Sequence, residues 1–235
     1  MRVGLIIPSV NVVLEHDLRL FVPPTIMTHV TRVKLTIGSP QALQAALDEA
    51  PQAACLLADA GVSALALACT GASMMAKPGQ PTAAQQMTAR TGLPAIDTMG
   101  ALFAAFRVLA VRRILLVSPF GDAFNAIEAA ALATGGIEVV KTEGFGISNA
   151  ADCATLSPET ISARAMAADL DDAEAIFLSC ANLRGFEAAA GLEQKIGKPV
   201  ITTNQAVLWA LLRLAGSTEG PPDGGALFKY HCESF

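Results

Sequence analysis

Two short cysteine segments, offset by 111 residues, hold the chain's most evident chemistry. In the first, the apolar run 64–68 stops at Cys69 and continues as Thr70-Gly71-Ala72. In the second, the run 175–178 passes through Ser179 to Cys180 and continues as Ala181-Asn182-Leu183-Arg184. A thiolate is a strong nucleophile, and a thiol can also give or take a proton. A continuous apolar run before small residues and a helical pattern reads as a buried parallel strand ending in a strand-to-helix turn. Each cysteine then stands at the carboxyl edge of a sheet, where open α/β folds bind ligands. A nearby helix N-terminus is expected to lower a thiol's pKa, so at least one of the two is expected to be partly ionised near neutral pH.

Other residues fall at the same predicted edge. Thr70 and Gly71 after the first cysteine, and Ala181 and Asn182 after the second, can offer backbone N–H groups and short side-chain donors to a carboxylate. Thr or Asn there also serves ordinary helix capping. Ser9 and Asn11 follow the first strand, where Asn11 either binds a ligand carboxylate or caps the next helix. Phe120 follows Val117-Ser118-Pro119 at a strand end, and Asn149 closes a glycine-containing turn that can reach the cleft. Asp17 reads as solvated or packed on its helix. Cys55 reads as core in a helical pattern, and Cys153 and Cys232 as structural or incidental. Five cysteines without CxxC spacing suggest neither a disulfide framework nor a zinc site. The three histidines are scattered, and no dinucleotide, phosphate-loop or HExxH motif is present.

The elements that must position these residues repeat. Arg2-Val3-Gly4-Leu5-Ile6-Ile7-Pro8 has its counterpart in Arg113-Ile114-Leu115-Leu116-Val117-Ser118-Pro119, again offset by 111. Gly92-Leu93-Pro94-Ala95-Ile96-Asp97-Thr98 is echoed by Gly197-Lys198-Pro199-Val200-Ile201-Thr202-Thr203. This is the pattern of an internal duplication. Strands are expected at 2–7, 31–37, 63–69, 94–97, 113–118, 137–142, 174–180 and 199–203. Helical patterns lie near 12–21, 40–58, 81–91, 99–110, 121–134, 158–170, 184–195 and 205–215. Such alternation predicts an α/β fold with parallel sheets of four strands in each half. Residues 1–110 plus 205–235 are expected to form one lobe and 111–204 the other, with a shared site in the cleft.

Composition narrows the functional classes. Of 235 residues, 52% are hydrophobic and only 16% charged, so part of the surface is expected to be buried in a homodimer or higher homo-oligomer. The net charge is −5 and no basic run stands out, which argues against nucleic acid. No apolar stretch is long enough to cross a bilayer, and the first residues read as a strand rather than an export signal, so a cytoplasmic location is expected.

Gly4-Leu5-Ile6-Ile7-Pro8-Ser9-Val10-Asn11, Ala68-Cys69-Thr70-Gly71, Val117-Ser118-Pro119-Phe120 and Leu178-Ser179-Cys180-Ala181-Asn182-Leu183-Arg184 together resemble the aspartate/glutamate racemase superfamily. The match is to its branch of maleate cis–trans isomerases and arylmalonate decarboxylases, and it spans almost the whole chain in order. The resemblance implies two pseudo-symmetric lobes, an active site between them, and neither metal nor organic cofactor. It implies Cys69 as nucleophile or base and Cys180 as acid or base on the opposite face. It also implies that Asn11 and Asn149 bind substrate carboxylate. Arylmalonate decarboxylases resemble the chain less at one point, having glycine in place of Cys69. The branch commonly has tyrosine where this chain has Phe120, which puts maleate itself in question: either another donor substitutes, or the natural substrate is a less polar or singly charged acid. The expected activity is isomerisation of a small carboxylic acid. An amino-acid or hydantoin-type racemase using the same thiols is the alternative, and a non-catalytic carboxylate-binding protein is the reading from another class.

Overall fold

The computed structural model describes residues 1–77, 79–168 and 170–231. Cys232 therefore lies outside the described residues. The first half runs β1 (Arg2–Pro8), α1 (Val13–Phe21), β2 (Met27–Val33), α2 (Pro40–Asp59), β3 (Leu65–Leu67), α3 (Thr70–Ser73), α4 (Ala83–Thr91), β4 (Ala95–Asp97) and α5 (Thr98–Val108). The second runs β5 (Arg113–Ser118), α6 (Asp122–Ala133), β6 (Glu138–Gly144), a 3₁₀ turn (Asp152–Thr155), α7 (Pro158–Met166), β7 (Ala175–Leu178), α8 (Gly185–Ile196), β8 (Val200–Thr202) and α9 (Thr203–Leu214). A second 3₁₀ turn covers Leu227–Lys229.

Both halves form a four-stranded, wholly parallel sheet in the same order, β2-β1-β3-β4 and β6-β5-β7-β8. The repeated order is the structural form of the repeated sequence. In each sheet the two central strands carry the apolar runs, and β1, β3, β5 and β7 are buried almost throughout. Strands covered on both faces need such runs.

Seven of the eight expected strands lie where the sequence puts them, within a few residues. The second does not. It was expected at 31–37 and lies at Met27–Val33, with Met27 opposite Arg2 and Val33 opposite Pro8. It is an edge strand, half-exposed along most of its length, so it lacks the apolar run that marks a central strand. Leu35 and Ile37, inside the expected range, belong to the following loop.

The halves share one core. Leu5, Ile7 and Ala66 from the first sheet join Ile114, Phe177 and Ile201 from the second through α5 and α9. Helix α9 is buried at every position from Thr203 to Leu212, including the single tryptophan, Trp209. A helix apolar all round belongs inside a core. It packs against α5, β4 and β3 as well as α8 and β8. Each helix of this central pair starts from a capped turn. Asp97 accepts from Gly100 N at 2.9 Å, and Thr202 and Gln205 form a reciprocal capping box at 3.0 and 3.1 Å. Among the described residues, no helix is long and apolar enough to cross a membrane.

Candidate active site

A cavity of about 550 Å³ opens at the carboxyl ends of both sheets. Cys69, Thr70 and Gly71 enter from the first sheet and Cys180, Ala181 and Asn182 from the second, with Asn11 and Phe120 also in the wall. Its body is apolar, built by Val10, Leu35, Ile37, Leu43, Phe124 and Ile147. Among the described lining residues there is no lysine, arginine or histidine, and the single acid is Asp122.

Cys69 caps the one-turn helix α3. Its Sγ accepts from Ala72 N at 3.5 Å, and its carbonyl accepts from Ser73 Oγ at 2.9 Å. Thr98, at the head of α5, donates its hydroxyl to Leu67 O at 2.9 Å and its N–H to Ser73 Oγ at 3.2 Å, tying the cysteine turn to the central helix. Cys180 is held in the corresponding place by different means. Its φ is +100°, a conformation that costs a side-chain-bearing residue of order 1–3 kcal/mol. Its N–H donates to Thr203 Oγ1, at the head of α9, at 3.0 Å. Its Sγ accepts from Asn182 N at 3.4 Å. The strained backbone and its restraint by α9 fix the direction of the thiol.

The expected ionised thiol is not what this environment favours. Burial pushes the Cys69 thiol up to about 11, against smaller lowering from the Ala72 and Gly71 N–H groups. Helix α3 has a single turn, too short for its dipole to offset desolvation. The Cys180 thiol is also raised well above its ordinary value, first by a hydrogen bond with Cys153 and then by burial. Both cavity cysteines are thus neutral thiols at rest.

Two donors in the wall have no protein partner. Asn11 is buried; its Oδ1 accepts from Leu14 N at 3.0 Å, while Nδ2 is unpaired. Thr70 Oγ1 is likewise buried and unpaired. A buried donor without a partner is costly, so these two are the natural hooks for an oxygen of a ligand. Arg32 on β2 braces the Asn11 loop, donating to the carbonyls of Pro8, Ser9 and Asn11 at 3.3, 3.2 and 2.7 Å.

Several expected residues have other duties. Ser9 is not in the cavity wall, since its hydroxyl exchanges hydrogen bonds with Leu35 N and O at 3.1 and 3.2 Å. Asn149 is also outside the wall and exposed, because its Oδ1 accepts from Ala151 N at 3.3 Å and starts the 3₁₀ turn. Asn182 does line the cavity, but its side chain is engaged. Oδ1 accepts from Val12 N and Val13 N at 2.9 and 3.3 Å, and Nδ2 donates to Ala150 O at 2.9 Å. It joins the two halves instead of waiting for a ligand. Phe120 is in the wall, its ring 4.4 Å from that of Phe124.

Three further acidic or thiol groups are buried in the second half or against it: Glu128, which the sequence did not single out, and Asp17 and Cys153, to which it assigned no functional role. Glu128 is fully buried, its Oε1 bonded to Ser179 Oγ and its Oε2 unpaired. Asp17 is buried too. Its Oδ2 accepts from Asn204 Nδ2 at 2.7 Å, and the same amide donates to Ala181 O at 3.1 Å. Burial pushes each carboxyl up to about 7. Asp17 and Glu128 share the 111-residue offset of the repeat, a signal available in the sequence. Cys153 is fully buried in the 3₁₀ turn, its Sγ facing Asn149 O at 4.0 Å, and nothing in its local sequence distinguishes it. Cys55 lies on α2, its Sγ donating to Pro51 O at 3.5 Å, away from the cavity.

Comparison with known proteins shows the family and the fold. A family model described as arylmalonate decarboxylase matches residues 3–228. A maleate isomerase from Pseudomonas putida is 27% identical over 97% of both chains. An arylmalonate decarboxylase from Bordetella bronchiseptica is 32% identical over 60% of each chain. A crystal structure of a maleate isomerase from Pseudomonas putida S16, a cysteine-to-alanine variant with maleate, superposes with a TM-score of 0.90 at 26% identity, covering 97% of both chains.

Proposed function

The chain belongs to the arylmalonate decarboxylase family, and from that premise we propose that it is a cofactor-independent, two-cysteine cis–trans isomerase of a small α,β-unsaturated carboxylic acid. The observation that carries this reading is a thiol from each sheet in one cavity, beside the two unpaired donors Asn11 Nδ2 and Thr70 Oγ1. Four maleate isomerases match 97% of this chain at 23–27% identity, which supports the reaction class, although arylmalonate decarboxylase structures superpose over as much of it. The apolar wall, the phenyl ring of Phe120 and the lack of a cation among the described lining residues favour a substrate with one carboxylate and an apolar arm over a dianion.

The substrate carboxylate accepts from Asn11 and Thr70. Cys69 Sγ bonds to the β-carbon, and the π electron pair moves toward the α-carbon and carboxylate. Those donors stabilise the developing enolate charge. Cys180 S–H then delivers its proton to the α-carbon. The proton displaced from Cys69 restores Cys180, so the net change is addition of one S–H across the double bond. The former double bond rotates, Cys180 takes the α-proton back as it gives its own proton up, and that proton goes to Cys69 Sγ as the C–S bond breaks, releasing the other isomer with both thiols neutral again. Because both thiols start neutral, no external acid or base is consumed.

Nuclear magnetic resonance of candidate cis acids in deuterated water tests this directly. Isomerisation with deuterium entering the α-position is expected. Cys69→Ala and Cys180→Ala should each abolish it while leaving the fold intact, and the double variant should be no worse than either. Wild-type turnover in either single variant would refute the dyad. Exchange of a saturated α-proton with inversion, without alkene isomerisation, would instead establish the racemase reading.

A further inference from the structure

We propose that Asp17 is a positioning residue for the reaction: acting through Asn204 and the peptide between Ala181 and Asn182, it holds the backbone N–H that reaches the sulfur of Cys180. The inference rests on the reading of Cys180 as a reacting thiol, but its test needs no substrate, so either can fail while the other stands.

The two cysteines end equivalent strands but are followed by different backbone. After Cys69, helix α3 begins at once, and the helix itself holds the Ala72 N–H on Cys69 Sγ at 3.5 Å. After Cys180 no helix starts until Gly185, so the peptide whose N–H meets Cys180 Sγ needs side chains to hold it. A chain of hydrogen bonds does so. Asp17 Oδ2, on α1 of the first half, accepts from Asn204 Nδ2 at 2.7 Å, across 187 residues of chain. The same nitrogen donates to Ala181 O at 3.1 Å. Ala181 O and Asn182 N belong to one planar trans peptide, so a carbonyl held toward Asn204 turns the N–H the opposite way. That N–H donates to Cys180 Sγ at 3.4 Å.

Asp17 decides which end of the Asn204 amide faces Ala181. Asn204 Nδ2 serves two acceptors, one on Asp17 and one on Ala181. A flipped amide would set its own oxygen against both. Without the Asp17 acceptor that constraint is halved, and Asn204 Oδ1, buried and unpaired, can turn toward another donor. Asp17 is itself buried, with Oδ1 unpaired. Its charged neighbours are Arg184 and Glu187, which bond each other at 2.8 and 3.0 Å, and His16 lies 3.9 Å from Glu187. Around Cys180 the titratable groups are Cys153 and Glu128. An apolar residue would fill the place of Asp17 at a smaller desolvation cost, so packing alone does not call for an acid there. A proton on Oδ1 leaves Oδ2 able to accept, and the chain holds on both sides of the Asp17 titration. In the proton-transfer step the Cys180 S–H bond breaks, a C–H bond forms on the substrate, and the electron pair stays on Cys180 Sγ, where the Asn182 N–H meets its charge.

The test is the rate of iodoacetamide alkylation at Cys180 relative to Cys69 in the same molecule, read by peptide mass spectrometry on the full chain at about pH 8. Asp17→Ala removes the acceptor and should lower the ratio about tenfold, because one hydrogen bond to a charged group is worth about one pKa unit. Asp17→Asn keeps an acceptor oxygen and should hold the ratio near that of wild type. Asn204→Ala breaks the chain at its next link and should lower the ratio as Asp17→Ala does, with the double variant no lower than either. A purely structural role predicts lower melting temperatures with an unchanged ratio, and that result would overturn the proposal, as would equal losses in Asp17→Ala and Asp17→Asn. A second measurement leaves Asp17 and Asn204 in place. With Glu128→Gln introduced so that position 128 does not titrate, the Asn204 NH₂ and Asn182 N–H signals in nitrogen-15 spectra should move with the midpoint of the Asp17 carboxyl carbon. A signal from either residue that stays fixed through that midpoint would refute the chain.

Discussion

Replacing Glu128 by glutamine should reshape how folding stability depends on pH. Glu128 is fully buried, bonded through one oxygen to Ser179 Oγ and unpaired at the other. Desolvation raises its carboxyl from an ordinary 4.5 to about 7, and the Ser179 bond offsets only part of that. An acid with a raised pKa binds its proton more tightly folded than unfolded. Below the unfolded value both states hold the proton and there is no penalty. As pH climbs from about 4.5 to about 7 the unfolded chain ionises first, and stability falls. At about 1.4 kcal/mol per pKa unit the full penalty is about 3 kcal/mol, reached above pH 7. Glutamine has the same shape and no titration. Its oxygen can still accept from Ser179, while its NH₂ takes the place of the unpaired oxygen at a pH-independent cost of about 1–3 kcal/mol. The variant should therefore be less stable than wild type at pH 4, and the gap should close or reverse by pH 8. Urea unfolding of both proteins at half-unit steps measures the difference, in which the similar titration of Asp17 cancels. A gap that stays constant across the window would show that Glu128 does not carry a raised pKa.

Other outcomes follow from single positions. Phe120→Tyr should set a hydroxyl in the cavity wall and raise preference for a diacid over its monoacid analogue by about ten- to hundredfold, from a charged hydrogen bond of about 1.5–3 kcal/mol. Paired kcat/KM values, with a melting curve to detect overpacking, decide it, and an unchanged ratio in a folded variant would remove Phe120 from substrate selection. Ala110 ends α5 at φ +54°, where α9 is followed by Gly216 at φ +84°. Ala110→Gly should therefore stabilise by about 0.5–1 kcal/mol, the relief of left-handed strain less the glycine's entropy, seen as a Tm rise of about 2 °C. Gly144→Ala would place a Cβ 2.4 Å from the carbonyl oxygen of Phe120. Because that atom is backbone, the turn carrying Phe120 must shift, with a loss of about 1–3 kcal/mol and a rise in KM.

The sequence alone determined the repeated α/β architecture and the two cysteines that end its central strands. Those are local properties. An apolar run before Cys69 or Cys180 marks a strand buried on both faces, and the repeat in sequence foretold two sheets of one order. The place of Asn11 and Thr70 in the cavity wall was legible for the same reason, since each lies three residues past a strand end. Edge strand β2 was misplaced because a half-exposed strand carries no such run. The tertiary structure decided everything that depends on which side chain finds a partner far along the chain. Ser9 turns to Leu35 and Asn149 to its own turn, so neither reaches the cavity. Asn182 binds the start of α1, 170 residues away, instead of a ligand. Cys153, undistinguished in its local sequence, is fully buried in the turn Asp152–Thr155. The charge state of the thiols was likewise beyond local reading. A helix N-terminus favours the thiolate through nearby dipoles, but burial removes the solvation of the whole charge, and at Cys69 burial is the larger effect.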